Sequence, residues 1–185
     1  LARRLPPMVT PVLLFVNENA MNIAAACACV PSAALQFHGE ESAEACSAEA
    51  HATGRVFWRA ARIPAGDGVG FDLLNFAHTF QAAQAILLDA HVEGYGGGGK
   101  TFDWSRLPPN IPPHLVLSGG LTPANVGAGI AALRGRGHSL AVDVSSGVEA
   151  DGPDGKRLKG IKDADKIHAF VRAVRAADAQ FSIAP

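Results

Sequence analysis

An α/β fold organised around one parallel sheet is predicted by two patterns in the chain. Short β-rich apolar runs alternate strictly with Ala-rich or amphipathic stretches of helical length, and nearly every apolar run ends in a polar residue. Strict strand-then-helix alternation implies a parallel sheet covered by helices, either doubly wound or closed as a barrel. The 185 residues suffice for one sizeable core. No internal linker or low-complexity tract divides them, so a single domain over residues 1–185 is expected.

In chain order, PVLLFVN reads as a first strand and ENAMNIAAACACV as the helix behind it. AALQFHG and ESAEACSAEAHA repeat the pair, then RVFWRA with FDLLNFAHTFQAA. AILLDA is a fourth strand. No full helix is expected after it, because Pro108, Pro109, Pro112 and Pro113 each remove a donor and push the preceding residue out of helical geometry. HLVLSGG is followed by TPANVGAGIAALRG, where Thr122 is expected to cap a helix, Pro123 to occupy its first position and Gly135 to end it. LAVDVSSG is a sixth strand. The last helix is expected to start at Asp163, with Ile167, Phe170, Val171 and Val174 at helical spacing.

The polar residues that close these runs are Asn17, Gln36 with His38, Arg59, Asp89, Ser118, and Asp143 with Ser145 and Ser146. In a barrel such positions gather at the C-terminal mouth, where catalytic residues stand. Two of the loops go further. SGGLTP sets Gly119 and Gly120 before a helix, and SSGVE sets Ser145, Ser146 and Gly147 past the last strand. Backbone N–H groups from two adjacent loops make an anion cradle, which points to a phosphorylated small substrate.

GYGGGGKT, residues 94–101, also satisfies the phosphate-loop pattern G-x-x-x-x-G-K-[ST], and Asp143 ends an apolar run as a metal-binding carboxylate would. That motif requires a helix directly after it, and the proline-rich stretch excludes one. The paired-loop cradle is therefore preferred over ATP binding.

Composition narrows the classes. A formal net charge of −1 and 48% apolar residues argue against a general nucleic-acid binder and against disorder. No long apolar run or signal-peptide core is read, so no membrane partner and a cytoplasmic setting are expected. Cys27, Cys29 and Cys46 are an odd number without a disulfide framework, and fit small thiols on helices in a reducing compartment. Cys27, Cys29 and His38 lack a second ligand pair, so no metal is expected.

Together PVLLFVN, LQFHGEES, ILLDAHVEGYGGGGKTFDW, LVLSGGLTPANV and VDVSSGVE…GIKDADKI resemble, in family order, phosphoribosylanthranilate isomerase of tryptophan biosynthesis. The resemblance implies a (β/α)₈ TIM barrel of which the last six βα units are present in this sequence. It implies no cofactor and no metal. The implied partner is a small phosphoribosyl substrate, bound by a monomer or homodimer. The glycine run then becomes the loop after the sixth barrel strand, and its GGGG departs mildly from the family, which more often has Ser or Thr among the glycines.

The implied reaction is the Amadori rearrangement of N-(5-phosphoribosyl)anthranilate to 1-(2-carboxyphenylamino)-1-deoxyribulose 5-phosphate. It needs an acid to protonate the ring oxygen as the furanose opens, and a base to remove the C2 proton. By the family motif Asp89 is the acid, Asp143 contacts substrate, and Gln36 and His38 line the pocket. Gly119, Gly120, Ser145, Ser146 and Gly147 hold the phosphate. The family's base is a cysteine in a Lys-Ile-Cys-Gly-Ile stretch, and an arginine holds the anthranilate carboxylate; neither stretch is in these 185 residues. The barrel is accordingly expected to be N-terminally incomplete as written. Two other functions fit the same residues: another phosphosugar isomerase or lyase on this barrel, and a non-catalytic binder of phosphorylated ligands.

Overall fold

The computed structural model describes residues 2–64, 71–91 and 101–181. Six parallel strands run in sequential order, β1 (Val12–Phe15), β2 (Ala34–Phe37), β3 (Phe57–Pro64), β4 (Ala85–His91), β5 (His114–Leu117) and β6 (Leu140–Val142). Each pairs in parallel with its chain neighbour, which puts every strand's C-terminal end on the same side. The Gly94–Lys100 part of the phosphate-loop lookalike lies outside the described residues.

Helices α1 (Ala20–Cys29), α2 (Ala43–Thr53), α3 (Leu73–Thr79), α4 (Val126–Leu133) and α5 (Ala164–Phe181) make the covering layer. The first three start at side chains that accept from the backbone N–H three residues on. Asn19 caps Asn22 N–H, Ser42 caps Ala45 N–H and Asp72 caps Asn75 N–H. Such caps contribute roughly 1 kcal/mol each. Gly54 at φ 65° and Gly135 at φ 78° close α2 and α4 in the left-handed geometry that suits glycine. Asp163 accepts from Lys166 N–H at 2.9 Å, so α5 starts where expected.

The start of α4 differs from expectation. Its first residue is Val126 and its cap position is Asn125, three residues beyond Thr122. The cause is local: Asn125 Oδ1 accepts from Thr122 N–H at 2.8 Å and its amide donates to the Gly120 carbonyl at 3.0 Å. That side chain folds the segment into a turn and delays the helix. Among the described residues between β4 and β5, the proline-rich stretch holds a single 3₁₀ turn, Trp104–Arg106, in keeping with the lost donors.

The main core lies between sheet and helices. Leu35, Phe37, Ala61, Ile63, Ile86, Leu88, Leu115 and Leu117 face Ile23, Leu73, Val126, Ile130 and Phe170 there. Alternate residues Ala60, Ala85, Leu87 and Val116 form a smaller cluster on the other face with Trp58 against them. An antiparallel hairpin of β7 (Glu149–Asp151) and β8 (Arg157–Lys162) follows β6. It was not read from the sequence, because every residue of β8 is exposed and leaves no apolar alternation to see.

Candidate active site at the strand ends

Asp89 stands near the end of β4 on the inner face, in phase with Leu87 and Ala85. His38 follows the last residue of β2, and its Nε2 lies 2.8 Å from Asp89 Oδ2. On the other side of the ring, Gln36 Nε2 lies 3.1 Å from His38 Nδ1. An amide N–H donating to Nδ1 makes that nitrogen an acceptor and leaves the ring proton on Nε2, aimed at the carboxylate. Gln36 is buried, while His38 and Asp89 keep only 15% and 20% of their side-chain surface exposed. A carboxylate so enclosed has one oxygen engaged by imidazole and one left for a ligand.

The second wall comes from β5 and β6. Ser118, buried past the end of β5, donates its hydroxyl to Asp143 Oδ2 at 2.9 Å. Gly119 and Gly120 follow at φ 73° and 66°, conformations that few other residues adopt. A side-chain carbon at Gly119 would come within 2.7 Å of Asp89 Oδ1, so the glycine is what lets this loop close over the carboxylate. Ser146–Val148 form a 3₁₀ turn after Ser145. Gly147 packs against the Leu121 carbonyl so closely that no side chain fits. The two loops thereby face each other with small residues and backbone.

One cleft of about 160 Å³ brings together Gln36, His38, Asp89, Gly119, Gly120, Asp143, Ser145, Ser146 and Gly147, with Leu14, Ser118 and Leu121 completing it. Asn17 and Arg59, also expected at the mouth, do not line it. Asn17 takes a left-handed turn at φ 53° and uses Oδ1 to accept from Glu40 N–H. Arg59 is an odd-phase residue of β3, like Phe57 and Ala61, and therefore points into the helix layer. β3 runs five residues past Arg59, to Pro64, so the expectation for Arg59 misses both the strand's end and the face on which the side chain lies.

Lys162 is a feature the sequence reading missed. From the end of β8 its Nζ donates to the Ser145 carbonyl at 2.9 Å and pairs with Glu149 Oε1 at 3.2 Å. It holds the second loop from outside and brings a positive charge beside the candidate anion cradle. Its only sequence signal was its place in the GIKD stretch. Cys27 and Cys46 are buried on α1 and α2, Cys29 is exposed, and none lines the cleft. Among the described residues, no His, Cys, Asp and Glu group is arranged to hold a metal ion.

The arrangement can therefore do three things: move a proton at Asp89, hold hydroxyls at Asp143, and hold an anion at the paired loops. Comparison with known proteins identifies the family. Residues 3–173 match the family model described as PRAI, N-(5'phosphoribosyl)anthranilate (PRA) isomerase. The N-(5'-phosphoribosyl)anthranilate isomerase of Methylibium petroleiphilum is 56% identical over 180 residues, spanning 97% of this chain and 76% of that protein. Among solved structures, phosphoribosyl anthranilate isomerase from Thermotoga maritima aligns with a TM-score of 0.68 and 34% identity, over 95% of this chain and 77% of the other. A phosphoribosyl anthranilate isomerase in complex with reduced 1-(o-carboxyphenylamino)-1-deoxyribulose 5-phosphate aligns at 0.66 and 32%, over 95% and 76%. With a family model matched along most of its length and a relative identical at more than half of the aligned positions, this chain belongs to the N-(5'-phosphoribosyl)anthranilate isomerase family.

Proposed function

We propose that the mouth cleft of this single (β/α) barrel domain isomerises N-(5-phosphoribosyl)anthranilate to 1-(2-carboxyphenylamino)-1-deoxyribulose 5-phosphate, a step of tryptophan biosynthesis. The observation that carries this reading is the placement of Asp89 between an imidazole and a glycine-lined anion cradle in one cleft. The substrate phosphate sits between Gly119–Gly120 and Ser145–Gly147, held by backbone N–H groups, with Lys162 behind them. Asp143, fixed by the Ser118 hydroxyl, contacts the sugar. Gln36 and His38 complete the wall around Asp89.

The chemistry follows from that pose. Asp89 gives a proton to the ring oxygen as the C1–O bond breaks, and the anthranilate nitrogen supplies the electron pair that forms the iminium. A base then takes the C2 proton, giving the enolamine that rearranges to the ketone. None of this chain's three cysteines lines the cleft; the base that the family resemblance implies is a cysteine in a Lys-Ile-Cys-Gly-Ile segment, which residues 1–185 do not contain. No cofactor and no metal take part. Unpaired thiols support a cytoplasmic setting, and no described helix is long and apolar enough to cross a membrane.

The test is conversion of phosphoribosylanthranilate, followed by loss of its anthranilate fluorescence, in protein that carries the cysteine segment. Turnover of this substrate and not of simple ribose or triose phosphates is expected. The lack of a cysteine at the mouth of residues 1–185 favours one second reading, a binder of phosphorylated ligands without catalysis. Tight binding of the reduced product with no turnover, cysteine segment present, would establish that reading instead.

A further inference from the structure

Arg59 is the most enclosed charge in the described residues, 4% exposed on the side of the sheet away from the cleft. Burying a guanidinium is unfavourable, and replacing a buried ion pair with apolar side chains is often neutral or stabilising. Burial pushes its pKa below the ordinary arginine value, with Glu41 among the groups opposing that shift. Its Nε has no hydrogen-bond partner among the described residues. A side chain held at such cost calls for an account beyond packing.

The account lies in where its donors go. Nη1 donates to the Phe37 carbonyl at 3.0 Å, and Nη2 donates to the carbonyls of Gly39 at 2.9 Å and Glu41 at 3.3 Å. These carbonyls bracket His38. The approach to the Glu41 carboxylate is looser, at 3.5 Å, because that carboxylate closes the same turn, accepting from Gly39 N–H at 2.9 Å and Asn17 N–H at 2.7 Å. The guanidinium carbon lies over the Phe80 ring, 4.7 Å from its centroid. The loop is thus gripped from behind by a rigid fork of donors, which a lysine cannot reproduce.

The grip matters because β2 and β4 are not neighbours: β3 stands between them. No backbone ladder connects the His38 loop to the strand of Asp89, and their 2.8 Å contact depends on the height at which the loop is held. We propose that Arg59 is a positioning residue for Asp89, acting through the loop that carries His38. This extends the isomerase reading of the cleft, and its catalytic arm rests on that reading.

The experiment compares Arg59→Lys and Arg59→Met with the parent, in protein that carries the cysteine segment. The first readout is the proton resonance of His38 Nε2–H, identified by its absence in His38→Asn; it reports the hydrogen bond to Asp89 and requires no turnover. Both variants are expected to lose or broaden it. Phe80→Leu removes the ring under the guanidinium but leaves the carbonyls, and is expected to lower Tm while keeping the resonance. The second readout is kcat for phosphoribosylanthranilate, expected to fall on the order of 10²-fold with KM changed far less, as for a small displacement of a reacting group. Should the Arg59 variants not fold, Glu41→Gln loosens the same turn and is expected to weaken the resonance and lower kcat in smaller measure. Folded Arg59→Lys or Glu41→Gln with the parent's resonance and kcat overturns the proposal. Loss of the resonance in a protein that never converts phosphoribosylanthranilate supports the clamp and removes only the isomerase reading.

Discussion

His38 and Asp89 meet at 2.8 Å across an intervening strand, so the candidate acid is oriented by a residue 51 positions earlier in the chain. The imidazole engages Oδ2, and Oδ1 lies against Gly119, beside the loop proposed to hold phosphate. The candidate acid and the proposed anion cradle are thereby locked in register.

Gly147 is the tightest point of that cradle. In Gly147→Ala the new methyl would meet the Leu121 carbonyl, so the 3₁₀ turn at Ser146–Val148 must shift and its N–H groups with it. Binding of inorganic phosphate or of the reduced product, measured by titration calorimetry, is expected to weaken at least about tenfold, the equivalent of roughly 1.4 kcal/mol. Unchanged affinity would place the anion elsewhere, with the Gly94–Lys100 stretch the next candidate.

The hairpin behind the cradle should make the protein acid-sensitive. The Gly160 N–H, at 2.8 Å, and then Lys162 hold the Glu149 carboxyl below its ordinary value of 4.5. A carboxyl lowered in the folded state stabilises it above the unfolded value and loses that contribution as pH falls through the folded one. Thermal unfolding should therefore show a loss of stability as pH drops below about 4.5, and Glu149→Gln should be less stable at pH 7 with a shallower acid slope. An identical slope in the variant would contradict this role.

Cysteine chemistry is expected to divide one against two. Burial pushes the Cys46 thiol up to about 11, so it stays protonated and shielded at neutral pH, and Cys27 is also buried. A disulfide reagent should modify Cys29 rapidly and the other two only on unfolding. Fast reaction of all three in folded protein would show that helices α1 and α2 pack less tightly than described.

Much of this architecture was legible because the physics behind it is local. Apolar runs such as ILLD and LVLS are buried on both faces, and the cap at Asp163 sits directly before the helix it starts. All the residues assigned to the candidate site share one cleft because parallel strands bring their ends together. What failed depended on longer-range facts. The face on which Arg59 lies follows from the full length of β3, which runs on to Pro64, whereas the run had been read as ending near Arg59. The delayed start of α4 follows from one Asn125 side chain bonding to both Thr122 and Gly120. The contribution of Lys162 arises from a hairpin without apolar alternation, which single-sequence pattern reading does not see.

The central claim is that Asp89 is the proton donor of this cleft, and Asp89→Asn tests it most directly in protein that also carries the family's cysteine base. Asparagine preserves the size of the side chain and an oxygen to accept from His38, but supplies no carboxyl proton. Turnover of phosphoribosylanthranilate is expected to fall by about 10²–10⁴-fold, while affinity for the reduced product changes far less, as for a group that acts in the transition state. A turnover number equal to that of the parent protein would remove Asp89 from the mechanism.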